Sequence, residues 1–408
     1  MVTAATLREL GLQAGLTAVG FTHAEPFDEA RVTLIERKAA GLHGGMQFTY
    51  RNPERSTTPT RILESAQSLI VGAWPYAAPD SQAGSDSQAG SDSAAPPSAA
   101  PSSLKRRPEA NIAAYAWRDH YTSLKVALSV MADSLIEAGF EARVVADDNA
   151  LVDRAAAIRA GIGWAGKNSN VLVPGHGSWF VLGAVVTNAP LDHDQPVAPS
   201  CGSCRRCLDG CPTNAIIADG VVDARRCLAW LLQADGDFPI EFRKALGTRI
   251  YGCDDCQIVC PPSRNTDVDL HGDEVTSLDL FALLTMSDEN LLDAVGRWYI
   301  PKRDLRYVRR NALVALGNTD LGATDPGTTD PGATDPGASD PGTTDPGTTD
   351  HGTTDPGATD PGATYHGATG LASQRAEAAD IIISYLGDDA MLDHHARWAA
   401  DQLSIELA

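Results

Sequence analysis

Positive charge is scarce in this 408-residue chain: 32 Lys and Arg stand against 53 Asp and Glu, a formal net charge of -21 at pH 7. Phosphate binding draws on Lys and Arg, so a broadly nucleic-acid-binding surface is excluded. Nine of the aspartates recur every five residues from Asp320 to Asp360, and without them -21 becomes -12. Any nucleic-acid site must then be a local patch. The residues before Ala24 lack a basic n-region followed by an apolar run, Arg8 and Glu9 interrupting what apolar character there is, so no signal peptide is expected. Nor does any apolar stretch reach bilayer length, the longest candidate being the short run Trp179 to Val186. These absences predict a cytoplasmic chain without a membrane partner. Cysteine is missing before residue 201 and after residue 260.

All eight cysteines therefore fall in one stretch. Cys201, Cys204, Cys207 and Cys211, followed by Pro212, have the C-x2-C-x2-C-x3-C-P spacing of bacterial two-cluster ferredoxins. Cys253, Cys256 and Cys260, followed by Pro261, repeat its last three positions, with Ile250 where a fourth cysteine is expected. Cys227 is the thiol left to supply the missing ligand. In the ferredoxins that this spacing resembles, the fourth cysteine of each run ligates the other cluster. One 4Fe-4S cluster is thus assigned to Cys201, Cys204, Cys207 and Cys260, and the second to Cys227, Cys253, Cys256 and Cys211. Zinc rarely uses this triple-plus-one spacing, and disulfide frameworks belong to small secreted chains.

Residues 1–190 read as an α/β domain. Helices are expected at Thr3 to Ala14, Thr33 to Ala40, Asp119 to Glu137 and Leu151 to Ala160, and strands at Leu16 to Phe21, Ser68 to Trp74, Phe140 to Ala146 and Gly177 to Thr187. Leu124, Leu128, Met131 and Leu135 form one buried stripe. A Ser, Ala, Gly, Pro and Asp tract at 78–103 cannot bury a core and is predicted to be a disordered insertion. Lys105, Arg106 and Arg107 behind it suit a solvated surface. The strand ending at Ala146 runs into Asp147 and Asp148, and strand-to-helix junctions are where α/β proteins keep ligands. Taken alone, Asp147 could equally cap a helix, and Lys167 and Asn168, among glycines, could equally form an ordinary turn.

Together, Asp147 to Arg154, Ala160 to Asn168, Gly177 to Phe180, Cys201 to Thr213 and Tyr251 to Pro261 resemble the epoxyqueuosine reductase family. The resemblance implies an iron-sulfur and cobalamin oxidoreductase that converts epoxyqueuosine to queuosine at the tRNA wobble position by cob(I)alamin-dependent two-electron reduction. It implies Asp147 as proton donor, with adjacent Asp148 an alternative, and Arg55, Lys167, Asn168 and Ser178 beside the corrin. Ala150 and Asp153 depart from the family's usual proline and glutamate. The expected partners are tRNA carrying epoxyqueuosine and an external low-potential electron donor, and a monomer is expected. A corrinoid reductive dehalogenase-like protein and a cluster-carrying electron-transfer protein without corrin are the alternatives.

A ferredoxin-like domain is expected at 191–270 and a helical region at 271–408. A Thr-Asp-Pro-Gly-Ala/Thr pentad repeats at 319–367, and its prolines and glycines predict a second disordered insertion. Helices are expected at Leu305 to Leu316, Ser373 to Leu386 and Asp389 to Leu403, and they resemble the HEAT-type repeat of longer members of the family. Lys302, Arg303, Arg306, Arg309 and Arg310 are the best local basic patch for tRNA backbone, the alternative being a solvated helix face.

Overall fold

A computed structural model describes residues 2–76, 107–264, 275–321 and 365–407, the side chains of the last segment from 370 onward. The predicted insertion at 78–103, and the part of the pentad tract from 322 to 364, lie outside the described residues.

The core element is a four-stranded sheet in the order Ala18–His23, Ser68–Pro75, Phe180–Thr187, Ala142–Ala146. Every neighbouring pair is antiparallel. The expected α/β character is corrected to α+β at this sheet, because alternating helices and strands do not by themselves set strand direction.

Burial of both sheet faces explains why Phe180–Thr187 is apolar up to its last residue and buried at all eight positions. Its side chains alternate with the period of a strand. Val181 and Val185 join the core beneath the helix His120–Glu137, while Leu182, Ala184 and Val186 meet Ala156 and Ala157 of the helix Asp153–Arg159. The predicted stripe Leu124, Leu128, Met131 and Leu135 is fully buried, and Asp119 caps the helix by accepting from the Thr122 amide.

Gly72 and Gly183 are register partners directly under that helix. A Cβ at Gly183 would stand 2.7 Å from Leu128 Cδ1 and 2.9 Å from Ala146 Cβ, and one at Gly72 would stand 3.0 Å from Leu128 Cδ2. The pair makes a floor on which Leu128 rests.

The buried cluster on this side continues through Leu246, Ile250 and Phe281 into the helix Arg306–Gly317 and on to Leu403. A second sheet, Arg249–Tyr251, Glu109–Ile112 and Ser277–Asp279, joins the strand before the second cysteine run to the body of the protein. At the C-terminus, Arg306–Gly317 packs on Ala390–Leu403, which packs in turn on Tyr365–Ser384. That last helix begins inside the tract predicted to be irregular through 367, since no proline follows Pro361 to stop it.

Gly183→Ala forces a methyl group against Leu128 and Ala146 in a filled interior. The expected cost is about 1–3 kcal/mol in urea unfolding, whereas Gly139→Ala, at φ 90° with open space around it, meets no neighbour and costs only backbone strain.

Candidate active site

Two short helices, Arg206–Asp209 and Asp255–Ile258, carry the central parts of the two cysteine runs and pack against each other. Gly210 allows the contact, since a Cβ there would stand 3.0 Å from Val259 Cγ2. The thiols fall into two sets by mutual influence. Cys207 lies within electrostatic reach of Cys260, Cys201 and Cys204, and Cys256 within reach of Cys253, Cys227 and Cys211. We propose these two groups as the ligands of the two clusters.

Cys227 reaches its set through a clasp: Thr213 Oγ1 donates to the Arg226 carbonyl at 2.6 Å, and Arg226 Nε donates back to the Thr213 carbonyl at 3.0 Å. Ile250, where the motif lacks a cysteine, is buried in the core. Among the described residues no three cysteine sulfurs lie within 4.8 Å of one another. Ligands about 2.3 Å from a single zinc would stand roughly 3.8 Å apart, so the wider spacing suits a cluster rather than one ion. Burial raises the thiols of Cys207, Cys227, Cys256 and Cys260, and pushes Cys253 up to about 12. Iron must therefore displace protons when the clusters assemble.

The strand Ala142–Ala146 delivers Asp147 in a left-handed conformation, φ 54°. Asp147 is not a helix cap. Its side chain opens to solvent, yet partial burial raises its carboxyl, Lys125 opposing and Asp153, Asp119 and Asp148 adding to the rise. Asp148 is used locally: its Oδ1 accepts from the Ala150 amide at 2.8 Å. The following turn is tied to the helix Pro53–Ser56, where Ser56 Oγ donates to the Asn149 carbonyl at 2.6 Å and Arg55 Nη1 donates to Asn149 Oδ1 at 3.1 Å. A cleft of about 310 Å³ opens there, lined by Phe48, Arg51, Asn52, Arg55, Ser56 and Asn149.

Two tyrosines not anticipated from sequence flank Asp147. The phenols of Tyr121 and Tyr251 are raised chiefly by burial, with the Asp147 charge adding to each. The only signal for Tyr251 is its place two residues before Cys253; Tyr121 has none, being one polar residue at the start of a helix.

Other expected contacts are placed differently. Asn168 is 6% exposed and donates to the Cys256 carbonyl at 3.2 Å; Ser178 is 4% exposed, and its Oγ donates to Gln257 Oε1 at 2.9 Å. Both are hydrogen-bonded to the cluster loop. Lys167 pairs with Asp219 at 3.1 Å.

In the expected basic patch, Arg310 is fully buried, and its guanidinium donates to the carbonyls of Leu231, Ala234 and Gly236. It closes a turn and cannot meet RNA, a second correction. Arg309 pairs with Asp288, and Arg306 with Asp304 and Asp389. Lys302, with a side chain 77% exposed, lies 3.8 Å from Asp235, and Arg303 donates to the Gly296 carbonyl; both stand at the surface end. The group Asp237, His394 and His395 is a hydrogen-bonded node: His395 Nε2 accepts from the Phe238 amide at 3.1 Å and also faces Arg243.

Residues 200–263 match the family described as "4Fe-4S double cluster binding domain". The epoxyqueuosine reductase of Bacillus anthracis is 33% identical over 312 residues, covering 74% of this chain and 77% of that protein. This chain belongs to the epoxyqueuosine reductase family. The solved epoxyqueuosine reductase from Streptococcus thermophilus superposes with a TM-score of 0.74 at 26% identity, covering 100% of this chain and 92% of that one. An epoxyqueuosine reductase solved with an epoxyqueuosine-modified stem loop of a tyrosine tRNA gives 0.68 at 26% identity, covering 98% of both. Among the described residues no helix is long and apolar enough to cross a membrane.

The interleaving predicts how ligand loss reads out. Cys227→Ala and Cys211→Ala each remove the same cluster signal in electron paramagnetic resonance and about half the iron, whereas Cys260→Ala removes the other signal.

Proposed function

We propose that this protein reduces epoxyqueuosine in tRNA to queuosine, using two 4Fe-4S clusters and cobalamin. The observation that carries the reading is the pair of thiol groups together with a cleft lined by Arg55 and Asn149, the turn residue two places after Asp147, whose carboxyl is raised by burial.

The net change breaks both C–O bonds of the epoxide and forms a C=C bond. It consumes two electrons and two protons, and the oxygen leaves as water. Clusters deliver electrons singly at potentials reaching several hundred millivolts negative, roughly -700 at the extreme. The Cys211, Cys227, Cys253 and Cys256 set is the one nearer the cleft on this reading, because Arg154, on the helix that follows Asp147, acts on Cys227. The open, polar cleft fits the amide-rich rim of a corrin, with Arg51, Arg55 and Asn149 as donors and acceptors. Bound there, cobalamin supplies low-potential two-electron chemistry toward the epoxide.

This chain's own residues place the substrate and move the proton. A raised carboxyl keeps Asp147 protonated to a higher pH than a free aspartate, so it can donate to the departing oxygen. Asp148, engaged by the Ala150 amide, is the poorer donor. Arg55 holds Asn149 and so fixes the turn that carries Asp147. Lys302, whose 3.8 Å pairing with Asp235 is looser than the 2.6 Å pairs of Arg306 and Arg309, and Arg303 are the cations offered to tRNA phosphates, and the three C-terminal helices, stacked in HEAT fashion on this reading, extend that surface.

The decisive experiment is nucleoside mass spectrometry on tRNA carrying epoxyqueuosine, incubated anaerobically with cluster-loaded protein, cobalamin and a low-potential reductant. Queuosine is expected, and its formation stops when cobalamin is omitted; no conversion by fully loaded protein rejects the assignment. Asp147→Asn is expected to lower turnover about 10²–10⁴-fold with cluster iron unchanged. In the unmutated protein the rate falls as pH rises through the raised Asp147 pKa, because the acid form is lost. Reversing charge with Lys302→Glu weakens tRNA binding and lowers the salt-dependence slope by about one, measured by filter binding across ionic strengths.

A further inference from the structure

We infer that the Trp164 indole N–H donates a hydrogen bond to a sulfur of the cluster held by Cys201, Cys204, Cys207 and Cys260, and thereby makes that cluster easier to reduce. Trp164 opens the short strand Trp164–Ala165, which pairs antiparallel with Val171–Leu172. It is 6% exposed and packs with Leu172 and Cys260, with Val197 and Cys201 against the same group. Both cysteines in that contact belong to one thiol set.

The indole nitrogen is a donor only, and its Nε1 has no protein partner. Three other indoles find carbonyls: Trp117 donates to Ile112 at 2.7 Å, Trp179 to Ser263 at 2.7 Å, and the partly buried Trp230 to Gly44 at 2.8 Å. Trp298 also lacks a partner, but it stacks on Tyr251 at 4.5 Å in a different part of the core. A buried donor without an acceptor is costly, and folds rarely retain one. Beside Cys260 the acceptor that resolves it is sulfur: a bridging sulfide or a cysteine thiolate of the cluster.

Hydrogen bonds to cluster sulfurs are among the determinants of iron-sulfur potential. One electron entering the cluster adds negative charge to its sulfurs, so an N–H aimed at them favours the reduced form and raises the midpoint. No bond is made or broken; the electron comes from the external reductant. Trp164 is thus a positioning residue for electron entry, distinct from the groups around Asp147.

The test uses the full chain loaded with both clusters. Trp164→Phe keeps an aromatic ring in the wall and deletes the donor. In a redox titration followed by electron paramagnetic resonance, the cluster signal that Cys260→Ala abolishes should move to a more negative midpoint, and the other should not move. Equal midpoints in variant and unmutated protein, with equal iron content, overturn the inference. A second measurement needs no variant: tryptophan labelled with ¹⁵N at the indole should give a nitrogen hyperfine coupling on the same reduced cluster in pulsed spectra. Absence of that coupling in the unmutated protein overturns the inference even where Trp164→Phe fails to take up iron, and persistence of the coupling in a loaded Trp164→Phe assigns it elsewhere and does the same.

Discussion

The crossing of the two cysteine runs is the constraint on which the rest depends. Each four-thiol set draws ligands from both ends of a segment of about sixty residues, so neither can close until the two turns stand face to face. Gly210 against Val259 sets their approach, and the Thr213–Arg226 clasp brings in Cys227. The loop after Cys260 is held just as firmly. Ser263 is bonded from Ser178 and from the Trp179 indole, and Gly177 leaves no room for a side chain, its Cβ position being 2.5 Å from Ser263 Cα. The sheet's central strand thus begins by gripping the cluster loop.

This coupling explains which parts of the site were legible in the chain. Thiol spacing bears directly on ligand geometry, so the double-cluster character of this stretch could be read, even where Ile250 breaks the pattern. The buried stripe of the long helix was legible because its period is local. Strand direction was not, since a four-stranded sheet assembled from segments more than a hundred residues apart is settled by packing. Arg310 looks like its neighbours in sequence, but one helical position turns it from solvent to the carbonyls of the 231–236 turn. The bonds that Asn168 and Ser178 make to the cluster loop could not be read from the chain, because their partners lie about eighty residues away.

Electrostatics divide the interior into two regimes. Around the clusters, burial favours neutral thiols until iron replaces their protons. Around Asp147, partial burial and three neighbouring carboxyl groups favour a neutral acid, with Lys125 restraining the effect. Asp254 stands between Cys253 and Cys256. Its buried carboxyl, pushed up to about 6, accepts from the Ala114 amide and from Gln257, which in turn receives Ser178.

The glycine floor under Leu128 reaches further than packing. The helix resting on it carries Tyr121 in its first turn and Lys125 one turn later; Lys125 acts on Asp147, and Asp147 on Tyr121. The height at which that helix sits is decided by two missing side chains in the middle of the sheet. The proton affinity of the acid is therefore adjusted from a place that no substrate touches, and a chain evolving a different working pH could change it there without altering a single group in the cleft.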